Sequence, residues 1–193
     1  MKNSLRLGAL RARDRSRVAQ ILDATAVFRP DEISVALELF DEGVVTAGDD
    51  TSSADVAPAT SSRASASADP DYVFLGAFTP EDELVAYACY GPTPATDRTW
   101  DLYWIAVDPS AQGTGSGTTL LSEVERRLSG LHARMLVVET SSRSDYSATR
   151  EFYLRRGYVE AARVREFYAP EDDRIILTKR FTGSPRRGWG AVA

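Results

Sequence analysis

Apolar and polar positions alternate from Leu5 to Ala9, which predicts a strand, and Asp14 just beyond it can cap a helix carrying Val18, Ile21 and Leu22 on one face. Pro30 stands where a first helical position tolerates it, and Ile33, Leu37 and Phe40 form a helical stripe that Gly43 is expected to end. Tyr72 to Thr79 and Leu84 to Tyr90 are strand-like runs joined by Pro80, Glu81, Asp82 and Glu83, the pattern of an antiparallel hairpin. Thr99 to Val107 adds a third strand after the turn-rich Gly91 to Arg98. Leu120, Leu121, Val124, Leu128 and Leu131 mark one face of a helix, and Met135 to Val138 reads as a short buried strand. A helix over Ser147 to Arg156 stops at Gly157, and Tyr158 to Tyr168 with Ile175 to Phe181 form a second hairpin. The order β-α-α-β-β-β-α-β-α-β-β predicts an α/β (α+β) fold: a mixed, mostly antiparallel sheet of about seven strands flanked by helices.

Between the second helix and the next strand, residues 48–71 turn to Asp, Ser, Thr, Ala and Pro, with Val56 the one large apolar side chain. So little apolar surface does not offset the entropy of ordering, so the segment is expected to be a disordered insertion. The stretch before it is short for a domain of its own, which predicts one domain over residues 1–181 and a flexible tail over 182–193. The net charge of −5 and a sequence pI near 5.0 argue against a nucleic-acid surface and suit a cationic ligand. Cys89 and His132 are the only residues of their kinds, so disulfide frameworks, metal cages and charge-relay triads lack material, and no metal is expected. No apolar run approaches the roughly 18 residues of a membrane span, and the N-terminus lacks a secretory apolar core, so a cytoplasmic location without membrane association is expected.

After Val107 and the turn Asp108, Pro109, Ser110 and Ala111 comes Gln112-Gly113-Thr114-Gly115-Ser116-Gly117-Thr118, running straight into the Leu120 helix. Glycines leave amide groups uncovered, and the start of a helix presents unpaired donors with a positive dipole end, an arrangement that favours phosphate or pyrophosphate. A tight strand-to-helix turn alone would also use glycines. A Walker loop is excluded because no lysine follows, and a dinucleotide fingerprint is weakened because Thr118 stands at its third glycine.

Val107-Asp108-Pro109 with Gln112-x-x-Gly115-x-Gly117 resembles the coenzyme A pyrophosphate loop of the GNAT acetyltransferase superfamily, Gln/Arg-x-x-Gly-x-Gly/Ala. The segment Ala148 to Tyr158, with Phe152-Tyr153-Leu154-Arg155-Arg156-Gly157-Tyr158, resembles the family's Phe-Tyr-x-x-x-Gly-Phe ending. The resemblance implies a GNAT-like sheet whose central strands, ending at Val107 and Glu139, splay apart to admit pantetheine. Ile105, Ala106 and Val107 would then meet pantetheine, and Gln112, Gly113, Thr114, Gly115, Ser116, Gly117 and Thr118 would cradle the pyrophosphate. Where the family often has Asn and Ala seven and four positions before the tyrosine, this chain has Tyr146 and Thr149.

The activity so implied is transfer of an acetyl group from acetyl-CoA to a primary amine of a small molecule or amino acid, by direct attack. Tyr153 is the candidate acid, since a phenol near pKa 10 stays protonated at neutral pH and can donate to a departing thiolate. Helical spacing turns it about 100° from Phe152, so that one aromatic fills core while the other meets the cleft. Asp101, six residues before Val107, is the candidate base and Glu139 the reserve; Arg29, Tyr103 and Glu139 are placed on the acceptor side. Phe28, Asp31 and Glu32, with Glu171, Asp172 and Asp173, would flank its mouth, although such a charge run is also an ordinary solvated turn. Two other readings stay open, a coenzyme A sensor without catalysis and a modifier of protein amines, as does the choice between monomer and homodimer.

Overall fold

A computed structural model describes residues 5–45 and 72–181; the expectations for 48–71 and 182–193 lie outside them. The elements are β1 (Arg6–Ala9), α1 (Arg15–Thr25), α2 (Pro30–Val45), β2 (Val73–Phe78), β3 (Leu84–Pro92), β4 (Thr99–Val107), α3 (Ser116–Gly130), β5 (Met135–Ser141), α4 (Ser147–Leu154), β6 (Val159–Ala169) and β7 (Asp172–Arg180). They form a seven-stranded sheet in the order β1-β2-β3-β4-β5-β7-β6, antiparallel at every junction except β4 with β5. This is the mixed α/β class that the periodicity predicts. Among the described residues no helix is long and apolar enough to cross a membrane.

Each face of the sheet buries its own apolar layer. On one, Leu120, Leu121, Val124 and Leu128 of α3 and Tyr153 of α4 pack on Leu75, Leu102 and Leu136. On the other, Val18, Ile21 and Leu22 of α1 and Phe40 of α2 pack on Phe74, Tyr87 and Cys89. Both helical stripes therefore follow the 3.6-residue period read from sequence. Leu131 is a departure, about half exposed, because α3 ends at Gly130 and the chain turns through His132 at φ 56°.

Two local signals act differently from expectation. Gly43 does not end α2; it lies inside the helix where α2 crosses the sheet, and a Cβ there would come within 2.7 Å of the Phe74 ring. Close approach, not helix termination, selects the glycine. Asp14 sits at the N-cap of α1, but its carboxylate accepts from the Arg11 amide at 2.8 Å, closing the tight turn before the helix. By contrast Glu32, at the third position of α2, reaches back to the Arg29 amide at 2.7 Å and satisfies a donor that the helix leaves unpaired.

On α3, Arg126 and Arg127 both bond Glu123 and hold its carboxyl down at about 2 from an ordinary 4.5, chiefly through the hydrogen bond from Arg126. A carboxyl depressed by folding adds stability that is fully present above its unfolded value and lost as pH falls through its folded value. Glu123→Gln is therefore expected to melt below the wild type at neutral pH, with the gap closing between pH 4.5 and about 2 in a series of thermal melts. A gap constant across that window would assign the effect to packing.

Candidate active site

Strands β4 and β5 pair in parallel from Thr99 with Met135 to Leu102 with Val138, and there the pairing stops. Beyond that point β4 stays tied to β3 and β5 to β7, so the strands part as the prongs of a fork. An irregularity in β4 coincides with the point of separation. Cys89 pairs with Trp104 and Tyr90 with Leu102, which leaves Tyr103 as an extra, unopposed residue, a β-bulge at the fork. A bulge bends its strand and increases local twist. It also flips the alternation: Trp100, Leu102, Ile105 and Val107 join the α3 layer, whereas Tyr103, Trp104 and Ala106 join the other.

At the tip of β4 the chain turns into the glycine loop. Asp108 anchors the turn: it accepts from the Ser110 amide and hydroxyl at 2.9 and 2.6 Å and pairs with Arg17 of α1 at 2.8 Å. These bonds, the Ser110 hydroxyl first, hold its carboxyl below the usual range. The Gln112 side chain donates to the Val107 carbonyl at 3.2 Å. Gly113 and Gly115 adopt φ 74° and 94°, and a Cβ at either would meet nothing within 4 Å, so the loop is bare as well as left-handed. Its helix ladder begins with the Thr119 amide donating to Gly115 at 2.9 Å, leaving the amides of Ser116, Gly117 and Thr118 without a helical acceptor. Gly117 serves packing, since a Cβ there would stand 3.3 Å from Val107 and 3.6 Å from Phe152. The chemistry of the turn suits an anion: Gly113 and Gly115 are open, the helix start leaves amides without helical acceptors, and the dipole sign is right, although Ser116 itself is buried.

On the α1–α2 side of the fork lies a cavity of about 590 Å³. Of the residues expected at the acceptor side, Arg29, Tyr103 and Glu139 line it, and so do Asp101, Phe28, Asp31 and Glu32. Five carboxylates face it against three guanidiniums, those of Arg29, Arg143 and Arg174. Asp101 accepts from the Thr93 hydroxyl at 2.6 Å. Glu139 is more heavily engaged, bonded by the Tyr168 hydroxyl at 2.5 Å and ion-paired with Arg174. Burial, followed by the Glu139 bond, pushes the Tyr168 phenol above its ordinary range. Asp172 is buried and accepts from Ser141, so of the acidic run in the last hairpin one member is structural, not solvated. Asp173 holds the hairpin through the Glu166 amide and Arg163, and Glu171 takes the turn at φ 66°.

Tyr153 is placed differently. It is 2% exposed, packed edge-on against Phe152 and Tyr158 with ring centroids 5.2 Å apart in each case, and it does not line the cavity. Of the two neighbouring aromatics it is Tyr153, not Phe152, that is fully buried: Tyr153 belongs to the apolar layer, and Phe152 packs against it only partly buried. Burial pushes its phenol well above 10. Sequence reasoning missed Trp104, Thr140, Arg143, Tyr168 and Arg174 on the cavity wall. Tyr146, noted only as a departure from a family pattern, lines it too, with its phenol raised by burial.

A mixed sheet forked between β4 and β5, with an open glycine turn at the head of one prong and a cavity beside the gap, is the architecture of this chain. Comparison with known proteins gives the family. Residues 40–158 match the Acetyltransferase (GNAT) family model. A GNAT-family protein from Desulfovibrio desulfuricans is 37% identical and superposes with a TM-score of 0.75, covering 92% of this chain and 98% of its own. Two more distant structures share the fold: the PaiA N-acetyltransferase of Thermoplasma acidophilum in complex with coenzyme A (15% identity, TM-score 0.64, 92% and 98% of the two chains), and YncA of Salmonella typhimurium with acetyl-CoA (14%, 0.66, 95% and 98%). No curated protein matches by sequence. The chain belongs to the GNAT acetyltransferase family.

Gly115→Ala places a Cβ at φ 94°, a conformation costing an L-residue roughly 1–2 kcal/mol. Gly130, at the end of α3 in open space and without a left-handed φ, is the control. Denaturant titration is expected to show Gly115→Ala destabilised by about that amount and Gly130→Ala unchanged or stabilised.

Proposed function

We propose that this protein is an acetyl-CoA-dependent N-acetyltransferase acting on the primary amine of a small molecule that also carries an anionic group, as an amino acid does. The observation that carries the reading is the fork itself, which opens between a bare anion cradle and a cavity of mixed charge. In the cradle, the amides at the start of α3 would hold the diphosphate, and the open edge of β4 at Ile105, Ala106 and Val107 would hold the pantetheine arm. When bound, acetyl-CoA supplies a thioester whose carbonyl carbon is the electrophile and whose sulfur is the leaving group.

The residues of the chain then act in turn. Arg29 and Arg143 on the cavity wall would hold the acceptor's anion; Arg143 is steadied by Asp145 at 3.1 Å and lies over the Tyr146 ring. The excess of carboxylates draws the ammonium inward. Asp101 would take its proton. Asp101 would pass that proton on to solvent, as a relay and not as a sink. Glu139 is the weaker candidate, since Tyr168 and Arg174 already occupy its oxygens. As the N–C bond forms and the C–S bond breaks, Tyr153, kept protonated by burial, would donate to the thiolate.

Two measurements test this. Thiol release from acetyl-CoA, followed across a panel of amines and amino acids, is expected with at least one acceptor; tight cofactor binding without turnover would favour a sensor instead. With that acceptor, Tyr153→Phe is expected to lower kcat by about 10² to 10⁴ with little change in acetyl-CoA affinity. Unaltered turnover removes Tyr153 from the mechanism. For Asp101→Asn the pH–rate profile should lose its acidic limb, and retention of that limb rejects the base assignment.

A further inference from the structure

The charged groups around the cavity are largely engaged with one another. Glu139 is held by Tyr168 and Arg174, and Asp172 accepts from Ser141. Asp101 accepts from the Thr93 hydroxyl, while Asp31 and Glu32 lie 3.5 and 3.7 Å from Arg29. An acceptor's ammonium and anion can share in those pairs. A further charge on its body would lose water there without a matching group, which is costly.

Between the charges stand Phe28, Val35, Tyr103, Trp104, Tyr146 and Ile176. Phe28, Tyr103 and Trp104 are only partly buried against the α1–α2 layer, and Tyr103 is braced edge-on by Tyr72 with ring centroids 5.3 Å apart. The bulge is what sets two consecutive aromatics, Tyr103 and Trp104, on the same side of β4. Val35 is 47% exposed, and of the six large apolar side chains that stand exposed among the described residues it alone lines the cavity. At about 590 Å³ the space has the size of a small-molecule site, roughly 300–1,000 Å³, and such sites are mostly apolar with a few placed polar groups. Apolar surface gains free energy in proportion to the area that a ligand takes out of water. The geometry points to an acceptor whose body, beyond its amine and its anion, is large and apolar: an amino acid with an uncharged aliphatic or aromatic side chain. The inference rests on the acetyltransferase reading above and narrows its acceptor.

Thiol release at fixed acetyl-CoA, measured across glycine, alanine, 2-aminobutyrate, norvaline and norleucine with phenylalanine, lysine and glutamate alongside, reads the outcome. The expected result is a kcat/KM that rises about fourfold with each added methylene. Phenylalanine should fall with the longer members of the series, and lysine and glutamate about tenfold or more below norleucine. Val35→Asn puts a polar group at a half-exposed helical position that the fold tolerates, as a thermal melt would check. It should lower the norleucine-to-alanine ratio of kcat/KM about fivefold. A series that is flat or falls with chain length overturns the inference and leaves the transferase reading intact. So does lysine or glutamate matching norleucine, a Val35→Asn protein with the wild-type ratio, or turnover of other amines with none of these amino acids. No turnover with any amine sinks the acetyltransferase reading and this narrowing with it.

Discussion

Two strands that stop pairing halfway along their length leave backbone donors and acceptors on edges that face each other across a gap. Each such group, if buried and unmet, costs about 1–3 kcal/mol, so a sheet does not open in this way without something to hold it. Here β4 is held by β3 and β5 by β7, and the extra residue at Tyr103 stands where the two prongs part. The cradle and the cavity both follow from that opening: one is the turn at the end of the bent prong, and the other is the space on the α1–α2 side of the gap.

The surroundings keep the geometry fixed without filling it. Arg17 reaches from α1 to Asp108 and to the Leu84 carbonyl at 3.0 Å, tying the turn after β4 to the opposite layer. Arg150 of α4 donates to the carbonyls of Ser141 and Arg143 at 2.7 and 2.8 Å, fixing the loop that leaves the other prong. These charge-assisted bonds to backbone are among the stronger kinds, and they lie at the two mouths of the fork, where side chains alone would leave it free to close.

Much of this was legible in the chain. The seven strands and four helices follow from periods of 2 and 3.6, and the glycines before α3 announce a bare turn because Gly113 and Gly115 need left-handed backbone. What periodicity does not convey is an inserted residue. The adjacent aromatics Tyr103 and Trp104 share a face only because of the bulge, a pattern that reads in isolation as a lapse in alternation. Nor does it tell close approach from termination, as at Gly43, or settle which of two neighbouring aromatics a short helix buries, as at Phe152 and Tyr153. Thr140 and Arg174 come to the cavity wall through the pairing of β5 with β7, a long-range contact without a local signature, and Tyr168 follows on β6, the hairpin partner of β7.

That pairing has a consequence for synthesis. The strand that backs the second prong is β7, later in the chain than β6, so it must slip between two strands made before it. Until Asp172 to Arg180 have left the ribosome, β5 carries a naked edge, and the wall that will hold Glu139 and Thr140 has no support on that side. The cavity wall is therefore the part completed last, and a chain that stops before that hairpin is expected to present an unpaired strand edge in its place.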